Sequence, residues 1–176
     1  DLCRTGRSGW RARPDHDRRN PSQGAPHSGK PSKRGVLPRR IGRTKGGLNS
    51  KLHAVCDGQG RPIIMLLSEG QMSDHKGAFL LLSSLPGARE LLGDKGYDSN
   101  WFRKALAERG ITACIPPRSN RKIQYTYDKV LYRQRHKIEN VFGRLKDWRR
   151  VATRYDRCAH TFMSAICIAA TIAYWL

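Results

Sequence analysis

Residues 90–98 read Glu90-Leu91-Leu92-Gly93-Asp94-Lys95-Gly96-Tyr97-Asp98. A short apolar run stops at a glycine and is followed at once by an acid. This predicts a buried strand with Asp94 at its carboxyl end, where open α/β sheets bind their ligands. The plainer reading of Asp94 is a turn or capping aspartate, and Asp98 reads as turn or cap. N-terminal to this stretch, residues 48–56 alternate, with Leu48, Leu52, Ala54 and Cys56 on one face, and residues 63–67 are continuously apolar. The turn Asp57-Gly58-Gln59-Gly60 joins them into a predicted hairpin. Asp74 suits the cap of a helix reaching about Ser84. On the C-terminal side, Ser99 caps a helix over 100–109 that Gly110 ends. A strand over 111–115 closes at Pro116-Pro117, and residues 118–127 are basic and loop-like. Alternation of strands and helices predicts an α/β fold.

A second constellation follows. Tyr132, Arg135, Glu139 and Lys146 lie on a predicted long helix from Asp128 to about Trp148, whose apolar residues Val130, Leu131, Ile138, Val141, Phe142 and Leu145 fall near helical spacing. Arg135 and Glu139 are four apart and Glu139 and Lys146 seven apart, so they share a face. A carboxylate among cations on one stripe suits a site that binds a metal and a phosphate together. The same spacing also describes an ion pair on a solvated helix face.

The chain has 176 residues, which fits one ordinary domain. Lys and Arg number 34 against 14 Asp and Glu, a net charge of +20, which points to a polyanionic partner, nucleic acid before membrane. The five cysteines form no Cys-x-x-Cys pair, which argues against a disulfide framework or zinc ribbon and suits a reducing cytoplasm. The basic N-terminus has no apolar run, so no secretory signal is expected. Residues 159–176 are apolar, but short for a membrane span and interrupted by His160, Thr161, Ser164 and Thr171, so a buried helix is expected there.

Charge and proline divide the chain. Residues 1–45 hold 13 Lys/Arg, 3 Asp and five of the nine prolines, without apolar periodicity. Residues 1–41 are therefore expected to be a basic, Pro-rich segment without a packed element, and 42–176 the folded domain.

Four stretches together resemble the transposases of bacterial insertion sequences, in the insertion sequence 5 group. They are Gly42-Arg43-Thr44-Lys45-Gly46-Gly47-Leu48-Asn49-Ser50-Lys51-Leu52-His53-Ala54, Asp94-Lys95-Gly96-Tyr97-Asp98, Ile115-Pro116-Pro117-Arg118-Ser119-Asn120-Arg121, and the Tyr132/Arg135/Glu139/Lys146 signature. The resemblance implies a ribonuclease-H-like mixed sheet with flanking helices. It also implies an Asp-Asp-Glu triad holding two Mg²⁺ ions for cleavage and strand transfer of DNA ends. Asp94 matches the second aspartate and Glu139 the glutamate, both as catalytic and metal-binding residues. Tyr132, Arg135, Lys146, Arg118 and Arg121 are the expected DNA contacts. The implied partners are the transposon terminal repeats, without a membrane, with homo-oligomers forming on DNA. The implied location is the bacterial cytoplasm, at the nucleoid.

One feature departs from that family. Its first aspartate lies on a strand upstream of Gly42, and the acids available there, Asp1, Asp15 and Asp17, have no strand-like context. Permitted codons for residues 16–35, read from the second base, give Met-Ile-Asp-Ala-Thr-His-Leu-Lys-Ala-His and onward, the family's strand. The reading is therefore a catalytic domain whose first-strand region is frameshifted, whose sheet lacks its first, central strand, and which is inactive alone. The alternative is a non-catalytic basic DNA-binding fragment or regulator of transposition. A small structural basic protein fits less well, because it needs no acidic metal site.

Overall fold

The computed structural model describes the backbone of residues 2–11 and, in full, residues 39–45 and 47–176. The strands are β1 (Leu2–Arg11), β2 (Gly42–Thr44), β3 (Gly47–Cys56), β4 (Pro62–Glu69), β5 (Glu90–Leu92) and β6 (Thr112–Cys114). The helices are α1 (Asp74–Leu82), α2 (Asn100–Glu108), α3 (Lys129–Arg133), α4 (His136–Asp147), α5 (Arg149–Ala152) and α6 (Ala159–Trp175), with a 3₁₀ turn at Lys95–Tyr97. β4 and β2 both pair with β3, and the sheet continues through β1, β5 and β6. The β4–β3–β1 portion is antiparallel and the β1–β5–β6 portion parallel.

The predicted hairpin is present, turned by Asp57, whose carboxylate accepts from the backbone N–H groups of Gln59 and Arg61 at 2.9 Å each. Period two splits β3 between two cores. Leu52, Ala54 and Cys56 pack with Ile138, Val141, Phe142 and Leu145 of α4 and Phe162 and Ile166 of α6. Val55 packs on the other face with Leu91, Tyr97, Phe102 and Leu106. Both faces are covered, so residues 50–56 are buried without alternation. Leu48 shares the parity of Leu52 but lies beyond the core and is exposed.

The expectation of a sheet without its central strand is not met. Leu2–Arg11 fills that slot, antiparallel to β3 from Arg4↔Cys56 to Arg11↔Asn49 and parallel to β5 from Leu2↔Glu90 to Arg4↔Leu92. The expectation that residues 1–41 hold no packed element therefore fails for residues 2–11, while 12–38 lie outside the described residues. The physical reason is local. The prolines begin at Pro14, so residues 2–11 keep every ladder donor. The facing edges of β3 and β5 offer backbone partners whatever the side chains are.

The predicted helix over 128–148 is broken into α3 and α4. Asp128 caps α3, accepting from Val130 and Leu131 N–H at 2.7 and 2.9 Å. At the junction, Gln134, Arg135, Lys137 and Ile138 each donate their N–H three residues back, to Leu131, Tyr132, Gln134 and Arg135, which tightens the chain to 3₁₀ geometry. Apolar spacing does not reveal such a break: Ile138, Val141, Phe142 and Leu145 of α4 form the buried stripe by themselves, while Val130 of α3 is exposed. α6 packs against β4 and α4, and no helix of the described residues is long and apolar enough to cross a membrane.

Candidate active site

Asp94 follows β5 directly. Gly93 N–H still bonds Cys114 O at 3.3 Å, and the Asp94 backbone then caps the 3₁₀ turn, its carbonyl accepting from Tyr97 N–H at 2.8 Å. Leu92 pairs with Arg4 and Arg4 with Cys56, so this parity belongs to the sheet face that α4 covers. The backbone at Asp94 stays extended (φ −66°, ψ 155°), and its half-buried carboxylate emerges at the mouth of the sheet on that side.

The α3–α4 junction meets it there. Arg135 Nη1 lies 2.8 Å from Asp94 Oδ1, and Arg135 Nη2 lies 2.5 Å from Glu139 Oε1. One planar fork thus joins two carboxylates 45 residues apart in sequence, and its width keeps the bonded oxygens within about 8 Å of each other. The geometry needs the tight junction: Arg135 stands just before α4, one turn from Glu139. Burial pushes the Asp94 carboxyl above its ordinary value; Arg135 opposes this, and the neighbouring charges of Glu139 and Asp74 add to it.

The Tyr132 ring lies 5.9 Å from the Arg135 guanidinium and 5.4 Å, edge-on, from Tyr127. Lys146 is exposed on α4, two turns beyond Glu139. Arg118 and Arg121, the remaining expected DNA contacts, are partly exposed and engaged with neighbouring elements. Arg118 donates to the carbonyls of Lys95 (3.3 Å) and Gly96 (2.9 Å) and meets His75 Nε2 at 2.6 Å. Arg121 bonds Asn100 Oδ1 and lies 3.3 Å from Asp98 Oδ2. Their guanidinium groups fasten residues 115–127 to the Asp94 turn.

Asp98 is more than a turn residue. Its side chain is 1% exposed, and it accepts from Arg103 Nε at 2.8 Å and Arg118 N–H at 3.0 Å. Burial alone would raise its pKa, but these donors and Arg121 hold it below the ordinary carboxylate range. Asp74 is not the cap that its position in the sequence predicts. The N-cap is Ser73, and Asp74 is a third acid near the mouth, 3.3 Å from the buried Lys51 amine. It abuts Gly96 so closely that a Cβ there would meet Asp74 Oδ2 at 2.5 Å. Buried His53 links Tyr97 Oη and Ser68 Oγ, each at 3.1 Å, and so ties the 3₁₀ turn to β3 and β4. No spacing in the sequence marks these partners, because each pair joins distant elements.

The family's two metal ions can be tested against these donors. Two steps beyond Arg4↔Leu92, the register of β1 sets Gly6 level with Asp94, and β1 contains no Asp or Glu. Asp94 and Glu139 are already bound to a cation, and Asp74 is engaged with Lys51. Among the described residues, no three His, Cys, Asp or Glu side chains are grouped to hold a metal ion. Two divalent ions need more carboxylate oxygen than this mouth offers, so the residues present do not fit the pair.

Comparison with known proteins gives a consistent assignment. Residues 22–176 match the family profile described as Transposase DDE domain. A transposase for insertion sequence element IS6501 of Brucella ovis is 35% identical over 130 residues, covering 73% of this chain and 99% of the relative. One for insertion sequence element IS402 of Burkholderia cepacia is 28% identical over 156 residues, covering 78% of this chain and 72% of the relative. Among solved structures, the piggyBac transposase in a synaptic complex with hairpin DNA superposes with a TM-score of 0.58 at 10% identity. That match covers 99% of this chain and 47% of the other, so the chain spans about half the length of that transposase and the likeness is one of fold. The mixed sheet, with its antiparallel and parallel halves meeting at β1, is consistent with a ribonuclease-H-like fold.

Proposed function

Because the chain belongs to the transposase DDE domain family, we propose that it is the catalytic domain of an insertion-sequence DNA transposase that binds DNA but does not cut it in its present form. Asp94 and Glu139 are the retained carboxylates of the triad. Tyr132, Arg135 and Lys146 border the path of a DNA strand past them, and the partners are transposon terminal repeats of an element in the insertion sequence 5 group. The observation that carries this reading is the Arg135 bridge, which brings Asp94 and Glu139 to one point at the carboxyl end of β5.

The missing activity follows from β1. A strand made of Leu2–Arg11 restores the ladder but brings Gly6, without a carboxylate, level with Asp94. The sheet is complete while the donor set is not. This agrees with a frame slip over residues 16–35, in which the family's Asp-bearing strand was replaced by an unrelated one. In the present chain the acids and Arg135 therefore serve as a polar clamp at the mouth, and the surrounding cations hold the DNA backbone.

The test is a cleavage assay on a duplex ending in terminal repeats, with Mg²⁺ added. The chain should retard the duplex and leave it uncut. Cutting by the unaltered chain would defeat the claim of inactivity. Absence of any retardation at low salt would defeat the claim of DNA binding.

A further inference from the structure

Residues 115–128 join β6 to α3, and no acid interrupts them from Pro117 to Tyr127. The base of this loop is pinned by Arg118 and Arg121 as described above. Its far side is pinned too. The Tyr125 ring lies 4.5 Å from the Arg103 guanidinium and 4.6 Å from that of Arg121, and Gln124 Nε2 donates to Arg121 O at 2.9 Å. Between these anchors stand Lys122 and Ile123, and Ile123 is 69% exposed.

A single exposed isoleucine is ordinary on a protein surface. This one is set apart by its surroundings. The loop is held from both sides, so the side chain is presented and not merely left over. Lys122 is adjacent and no acid lies nearby in the loop, so a polyanion is attracted there. The loop's anchors are Asp98, Lys95 and Gly96, so the loop is fastened to the same turn that carries Asp94. An exposed apolar group beside a cation on a fixed loop is the chemistry of a wedge that enters between stacked bases.

We propose that Ile123 is such a wedge: it enters a base step of bound duplex DNA beside the Asp94–Glu139 mouth, with Lys122 on the adjoining phosphate. This inference rests on the DNA-binding reading above. It assigns Arg118 and Arg121 to holding the loop and Ile123 to distorting the duplex.

The experiment uses the full chain and a set of 20-base-pair duplexes, each with 2-aminopurine at one successive position. Binding is read by anisotropy and unstacking by 2-aminopurine fluorescence. The expected result is a fluorescence rise of about threefold or more at one or two adjacent positions. Measured at saturating chain for each variant, Ile123→Ala should abolish the rise and Ile123→Leu should keep it. Lys122→Ala should weaken binding at every position alike and flatten its salt dependence. Binding without a rise at any position, or a rise unchanged in Ile123→Ala, overturns the wedge and leaves DNA binding intact. No binding to any duplex overturns the functional reading and the wedge with it.

Discussion

Asp94 Oδ1 and Arg135 Nη1 lie 2.8 Å apart, across the gap between the end of β5 and the start of α4, and the same guanidinium holds Glu139. Arg135 thus balances two acids that would otherwise repel at a half-buried mouth. Arg135→Ala should raise the Asp94 pKa further, since burial and the Glu139 and Asp74 charges then act unopposed. Arg135→Lys should return part of the effect, because a point charge cannot fork between both oxygens. Carboxyl NMR titration reads both; an unmoved Asp94 titration in Arg135→Ala would contradict the bridge.

Asp98 and Asp94 respond oppositely to acid. Asp98 has a lowered pKa in the folded state, so its contribution is present above its unfolded value and is lost as pH falls through the folded value. Asp94 has a raised one, so folding gains relative stability as pH falls through its folded value. Asp98→Asn should cost about 2–4 kcal/mol at neutral pH, because it leaves Arg103 and Arg121 without their buried partner. It should also reduce the acid sensitivity of urea unfolding. A neutral change would remove Asp98 from its place as the anchor of residues 115–127.

Gly6→Asp tests the missing carboxylate directly. The register of β1 on β5 sets this residue level with Asp94, so an acid there should create a measurable Mg²⁺ or Mn²⁺ heat by calorimetry that Gly6→Asn does not. Cleavage of terminal-repeat DNA should appear with it and vanish in the double variant with Glu139→Ala. A folded Gly6→Asp chain without metal binding would place the defect outside β1.

Tyr97 is fully buried, and its hydroxyl meets His53 Nδ1 at 3.1 Å. Tyr97→Phe should therefore destabilise the chain by about 1–2 kcal/mol in chemical denaturation, the cost of a buried polar group losing a partner. A change below a few tenths of a kcal/mol would show that the His53 link carries no stability.

DNA affinity should fall steeply with salt. A net charge of +20 offers many phosphate contacts, and six to ten of them would lower affinity by about 10³-fold or more between 50 and 200 mM salt. A shallow slope in a salt titration would mean that the basic residues are largely committed to internal pairs, as Arg118 and Arg121 are.

Much of this protein can be read from local pattern. Period two marked β3 and the continuous run marked β4; Ser99 and Gly110 bounded α2, and Asp128 opened α3. The four-residue spacing of Arg135 and Glu139 put them on one face, where they pair. These are short-range signals, set by the period of each element and by which side chain can satisfy a free N–H. Three decisions needed the tertiary structure. Leu2–Arg11 became the central strand because two waiting sheet edges supply its hydrogen bonds, a demand made by residues 38 and more positions away. Arg118 and Arg121 engaged neighbouring elements because Asp98, Asn100 and the Lys95–Gly96 carbonyls lie within their reach only after folding. Asp94 met Glu139 because a 3₁₀ junction swung Arg135 between them. Backbone periodicity is written residue by residue, whereas the pairing of charges and strand edges depends on which distant groups the packed core brings together.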